Sequence, residues 1–272
     1  MPAGHQALLD RFVAACQADD RIVAAFLVGS HAAGGADEHS DIDLFVVVSD
    51  SARESFLAGQ AEFVRRLGDP VFLEDFGLAT TVFFVMADGI EGELGVAPEA
   101  EAVRVLTGHR RLLLDKGGTF AANAATPPSA PADPHEGAEV LRREIVWFWH
   151  DLSHFITALG RGQLWWANGQ LETLRLSCVN LARLKSNPSD PDVGEEGYYK
   201  VDEVLPAAVL APLRDTMCPL EAEAMFEAAS HLLAFYRHLA PRLAQANGLA
   251  YPTGLESLLL SRWDHLRQGL AG

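Results

Sequence analysis

The chain has 272 residues and a mass of 29.4 kDa, enough for one large domain or two modest ones. Hydrophobic residues make up 49% and charged residues 21%, which rules out bulk disorder. Lys plus Arg number 21 against 37 Asp plus Glu, a formal charge of −16. That balance argues against a broad nucleic-acid-binding face, because phosphate backbones are held by basic side chains. It leaves room for a nucleotide bound through a divalent metal, and it suits a cationic partner.

Three cysteines, Cys16, Cys178 and Cys218, stand far apart and in odd number. They give neither a zinc spacing nor a disulfide framework, and a reducing cytoplasm is the plain expectation. The N-terminus lacks a basic-then-apolar leader pattern, and no long uncharged apolar stretch predicts a membrane span.

Residues 5–17 read as a helix, with Leu8, Leu9, Phe12, Val13 and Cys16 on one stripe. Residues 22–28 are an apolar run that stops at Gly29-Ser30, a buried strand followed by a loop over 31–40. Ile42 to Val48 is a second strand, rich in β-branched residues and broken only by Asp43. Residues 51–67 predict a helix; 71–74 and 79–86 predict strands. Asp88-Gly89 makes a turn, so 91–96 pairs back as a hairpin. Residues 111–114 form a last short strand, and 102–106 carry no clear pattern.

Composition then changes. Residues 119–135 are small, Pro-rich and nearly uncharged, a linker between a first domain at 1–118 and a second at 136–272. Beyond it apolar residues recur at spacings of three and four, as in Leu141, Ile145, Phe148, Leu152, Phe155 and Leu159. Helices are predicted over 136–160, 163–185, 202–214, 219–245 and 252–268, with a polar loop at 187–197. The fold class is α+β: a mixed sheet with helices, then an antiparallel helix bundle.

The segment that carries chemistry is 29–44, GSHAAGGADEHSDIDL. Asp41 and Asp43 are two residues apart at the start of a strand, so both carboxylates point to one face while Ile42 and Leu44 point to the other. Two ionised carboxylates side by side repel, and a hard divalent cation between them relieves that. Mg²⁺ is held by a few carboxylates together with substrate phosphates. Gly29 lets backbone approach a ligand closely, and the Ser30 hydroxyl with neighbouring amides can hold a phosphate. On the hairpin, Glu91 and Glu93 share a face, and Gly92 between them leaves room for close approach.

Strand, Gly-Ser, loop, Ser-Asp-Ile-Asp-Leu resembles the DNA polymerase beta-type nucleotidyltransferase superfamily. Within it the chain is most similar to the lincosamide nucleotidyltransferases, then to the aminoglycoside adenylyltransferases. Gly29, Ser30, Ser40, Asp41 and Asp43 match the signature residue by residue, and Phe83 to Val96 resembles the hairpin that presents a third acid. The resemblance implies that Asp41, Asp43 and Glu93 are catalytic and hold one or two Mg²⁺ ions. Glu93 would also serve as base for the acceptor hydroxyl. It implies a nucleoside triphosphate, most simply ATP, near Gly29, Ser30 and Ser40, a small cationic antibiotic-like acceptor, and a homodimer. The same fold could instead adenylylate a protein, or persist as an inactive nucleotide-binding module.

Other candidates carry two readings each. Lys116, in a Leu-Asp-Lys-Gly segment that resembles one in antibiotic transferases, faces nucleotide phosphates or caps the domain edge. Arg161 pairs with an acid in the cleft or forms an ordinary interhelical ion pair. Glu91, Asp151, Trp166 and Glu172 are candidate acceptor-binding residues. Trp147, Trp149, Trp165 and Trp166 cluster in two helices, mostly as core or interface, with one available as an apolar wall. His31 and His39 read as polar loop groups, and His150 with His154 lacks a third metal ligand.

Overall fold

A computed structural model describes residues 2–106, 108–121, 134–190, 193–194 and 196–270. The chain divides into two compact units, Met1–Ala130 and Pro131–Gly272. Most of the predicted linker, at 122–133, lies outside the described residues.

The first unit runs α1 (Ala3–Ala18), β1 (Ile22–Val28), α2 (Gly29–Ala33), β2 (Ile42–Val48), a 3₁₀ turn (Asp50–Ala52), α3 (Arg53–Ala58), α4 (Gln60–Arg65), β3 (Pro70–Glu74), β4 (Thr81–Met86), β5 (Glu91–Pro98), α5 (Glu99–Val105) and β6 (Arg110–Asp115). The strands form one sheet in the order β3-β4-β5-β2-β1-β6. Only β2 and β5 run parallel, with Ile42 opposite Gly92 and Asp43 opposite Glu93. The remaining pairs are antiparallel. The α+β class is as the sequence implied, and the hairpin of β4 and β5 forms as expected.

Period-two alternation sorts the sheet into two faces. Ile42, Leu44, Val46 and Val48 of β2 point into a core covered by α1, α3 and α4, where Leu8, Phe12, Phe56 and Phe63 are fully buried. Asp43, Phe45 and Val47 point the other way. There a smaller cluster of Ala24, Phe26, Val47, Ala102, Leu106 and Phe120 covers the far part of the face. Asp43 and Glu93 lie outside that cluster and are half-buried.

Two predicted helices are interrupted. The 51–67 helix is a 3₁₀ turn running into α3, then α4, with Gly59 taking a non-helical conformation between α3 and α4. The break frees buried Gln60 to donate its side-chain amide to the Leu94 carbonyl at 2.8 Å, which fixes α4 behind β5. Residues 99–105, partly left without a pattern above, form α5, led by Pro98 at the N-cap.

The second unit comprises α6 (Pro134–Gly160), α7 (Leu164–Ser186), α8 (Val201–Val204), α9 (Ala207–Arg214), α10 (Ala222–Ala246) and α11 (Thr253–Leu270). The 202–214 helix divides into α8 and α9 at Leu205-Pro206, since the residue before a proline is driven out of helical geometry. Gly162, at φ +67°, reverses the chain between α6 and α7. The bundle core centres on Tyr236 of α10, stacked on Phe148 at 3.7 Å, with its hydroxyl donating to the Ile145 carbonyl at 2.7 Å. Among the described residues no helix is long and apolar enough to cross a membrane.

Candidate functional site

β1 ends at Val28, and the chain turns at once into the single turn of α2 instead of an open loop. Gly29 makes that turn possible in two ways. Its φ is +65°, a conformation that favours glycine, and an added Cβ would lie 1.9 Å from Asp43 Oδ2. The Asp43 carboxyl therefore rests on the Gly29 backbone. The Ser30 hydroxyl beside it is buried with no hydrogen-bond partner. Ser40 organises the following loop: its hydroxyl accepts from the Asp37 amide at 2.9 Å and donates to Asp37 Oδ1 at 3.1 Å. Its carbonyl lies 3.1 Å from His5 Nε2 on α1.

Three acids share this end of the sheet. Asp41 and Asp43 are on one face by alternation, and parallel register sets Glu93 opposite Asp43 on that same face. Gly92 is needed for the approach, since a Cβ there would come 2.4 Å from the Ile42 carbonyl oxygen. The acids feel one another. Burial, then Asp41, then Glu93 push the Asp43 carboxyl up to about 7. Burial and Asp41 raise Glu93 as well. Glu91 is exposed, and with Asp41, Ser40 and His5 it lines a polar cavity of about 270 Å³.

A divalent ion suits this donor set. Crowded carboxylates with raised pKa values, beside an unpartnered buried hydroxyl, are what a hard cation and a phosphate oxygen would satisfy. Among the described residues no group of three or more His, Cys, Asp or Glu is placed to hold a metal ion. Asp41 and Asp43 share one face of the strand, with Glu93 opposite Asp43 on its parallel neighbour.

A family model described as streptomycin adenylyltransferase matches residues 4–261. The chain belongs to the streptomycin adenylyltransferase family. It is a nucleotidyltransferase, as its signature residues implied. Of the two likenesses drawn from the sequence, the match falls on the aminoglycoside side and not the lincosamide one. An aminoglycoside 6-adenyltransferase from Bacillus subtilis is a similar solved structure, 14% identical over 96% of this chain and 97% of that one, with a TM-score of 0.42. No curated protein matches the chain significantly.

Two candidates of the first unit differ from their sequence reading. Lys116 is a correction: its amide bonds to the Val23 carbonyl at 2.9 Å and its ammonium donates to the Asp19 carbonyl at 2.8 Å. That is the opposite end of β1 from Gly29, ~20 Å away at about 3.3 Å per residue, so it caps the sheet edge. His31 is also misread as a loop group. It is buried and packs 5.0 Å from the His5 ring, and burial lowers its pKa.

In the helical unit the proposed acceptor residues do not converge. Asp151 lines one cavity and accepts from His150 Nδ1 at 2.9 Å. Arg161 lines another with Arg262 and His265, and neither acid pairing expected for it is formed among the described residues. Glu172 bonds to buried Arg175, which also holds Thr216, so it belongs to a structural network. Trp166 is part-exposed, 5.9 Å from the His154 ring. Of the four clustered tryptophans only Trp149 is buried; Trp147, Trp165 and Trp166 are exposed, contrary to the core reading.

Proposed function

We propose that this chain transfers AMP from ATP to a hydroxyl of an aminoglycoside acceptor and releases pyrophosphate. One observation carries the reading: the β2/β5 ladder sets Glu93 beside Asp43 at the Gly29-Ser30 turn, in a member of the streptomycin adenylyltransferase family.

Asp41 and Asp43 would hold Mg²⁺. When bound, the ion neutralises charge on the phosphoryl oxygens and on the departing pyrophosphate. Ser30 offers its unpartnered hydroxyl to a phosphate oxygen. Glu93 accepts the proton of the acceptor hydroxyl as that oxygen bonds to the α-phosphorus and the bond to the β-phosphate oxygen breaks. A carboxyl with a raised pKa is a better proton acceptor than an ordinary one, which suits it to base work near neutral pH. Holding attacker and leaving group in line contributes much of the remaining acceleration.

The test is a product-mass screen. ATP, GTP, CTP and UTP are each combined with streptomycin, kanamycin or lincomycin, and with Mg²⁺. The reading expects one AMP added to an aminoglycoside from ATP alone. Addition only to lincomycin, or from another nucleotide only, would overturn the acceptor or the donor assignment.

A further inference from the structure

Strand pairing carries one row of side chains across the open face of the sheet. Asp43 on β2 is opposite Glu93 on β5, Glu93 is opposite Phe83 on β4, and Phe83 is opposite Glu74 on β3. Partners in register share a face, so the row crosses four adjacent strands at about 4.8 Å per step. Val82, Phe84 and Leu94 point the other way, into the core. Past Glu93 the row enters an aromatic surface. Phe76, in the turn after β3, stands 5.5 Å from the Phe83 ring and 6.1 Å from the Phe72 ring. Phe76 is 66% exposed and Phe72 is 42% exposed. Phe76 also holds φ +50°, a backbone conformation that bulky residues rarely adopt. Glu74 is exposed at the end of the row, and its Oε1 accepts from the Asp75 amide at 3.1 Å and the Phe76 amide at 3.4 Å.

Clustered apolar rings in the open mark a ligand surface, and backbone strain collects at ligand clamps. Position says which ligand. Ser30 follows β1, Asp41 and Asp43 belong to β2, and Glu93 is on β5, so the proposed phosphate, metal and base positions run across the sheet in that order. The attacking hydroxyl is at Glu93, and pyrophosphate leaves from the opposite side of the phosphorus. The rest of the acceptor therefore extends away from β1, over β4 and β3. There the phenyl groups suit the C–H face of a sugar or cyclitol ring. Glu74, two strand spacings or about 10 Å from Glu93, suits a cationic group carried by that ring.

We propose that Phe76 and Phe83, with Glu74 at their edge, form an acceptor platform beside Glu93 on which a cationic sugar or aminocyclitol ring lies. The inference deepens the proposed reaction and rests on it for the direction of attack and the identity of the ligand.

The experiment titrates streptomycin, a guanidinium-bearing aminoglycoside, into nucleotide-free full-length protein by calorimetry, with steady-state rates measured on the same proteins. Glu74→Gln removes the charge and keeps an oxygen for the turn amides. Phe76→Gly removes the ring, and glycine takes φ +50° freely, so the turn is not forced. Each change should weaken binding about fivefold and raise KM for streptomycin in proportion, with KM for ATP within about twofold of wild type. The double variant should weaken binding roughly twentyfold. Wild-type protein that binds no streptomycin overturns the inference. So does a folded double variant that binds it within about threefold of wild type, or one whose KM for ATP rises as much as its KM for streptomycin. If the wild type transfers AMP to streptomycin while the double variant binds it normally, the platform fails and the reaction stands. If the double variant loses binding and the wild type transfers no nucleotide, the platform stands and the reaction fails.

Discussion

Replacing Asp43 by Asn should stabilise the metal-free protein while abolishing its activity. In the fold the carboxyl is displaced from its ordinary value of 3.8 to about 7, chiefly by burial, then by Asp41 and Glu93. At about 1.4 kcal/mol per pH decade, that corresponds to roughly 4 kcal/mol against the ionised form above pH 7. Asp43 is only half-buried, so solvent screening reduces the figure to ~1–2 kcal/mol. The sign follows from which state holds the proton. Between 3.8 and about 7 the folded chain keeps a proton that the unfolded chain has lost, so folding is progressively penalised as pH rises. An Asn side chain carries no such penalty. D43N should therefore melt roughly 3–8 °C above wild type at pH 8, and the gain should shrink on acidification and vanish near pH 4. Mg²⁺ with a non-hydrolysable ATP analogue should raise the wild-type midpoint and leave D43N almost unmoved. Thermal scans at pH 8, 6 and 4 read all of this. A D43N protein that is less stable than wild type at pH 8, or a gain independent of pH, would refute the reasoning.

Further outcomes follow from the same geometry. Glu93→Gln should lower kcat by ~100-fold or more with nucleotide binding retained, whereas Glu91→Gln should leave kcat within about tenfold of wild type; steady-state kinetics decides between them. Gly29→Ala should cost ~1–3 kcal/mol and nearly all activity, because the strained backbone and a Cβ 1.9 Å from Asp43 Oδ2 displace that carboxyl; a melt and a turnover assay check both. Lys116→Met should leave KM for ATP unchanged and cost ~1 kcal/mol of stability through the lost bond to Asp19, measured by kinetics and denaturant titration.

The parts of the site that were legible in the sequence are local. Gly29-Ser30 follows an apolar run, and Ser40-Asp41-Ile42-Asp43 carries its own alternation, so turn, strand and facing carboxylates follow from neighbours in the chain. The hairpin around Asp88-Gly89 is local too. What escapes such reading is register between distant segments. Only the parallel pairing of β2 with β5 decides that Glu93, not Glu91, stands opposite Asp43. Only the antiparallel pairing of β1 with β6 shows that Lys116 belongs to the far end of the sheet. Breaks at Gly59 and Pro206 had signals in the residues themselves, which apolar periodicity outweighed. Glu74 and Phe83 gave none, because only the pairing of β3 with β4 and of β4 with β5 brings them level with Glu93.

The central claim is that one carboxylate pair, with Glu93 beside it, moves AMP to an aminoglycoside. Its most direct test is label transfer from α-labelled ATP to streptomycin, followed by chromatography of the product, with wild type, D41N and D43N side by side at equal folded concentration. The account predicts labelled streptomycin and free pyrophosphate from the wild type and neither from the variants. Equal transfer by D41N or D43N would contradict it.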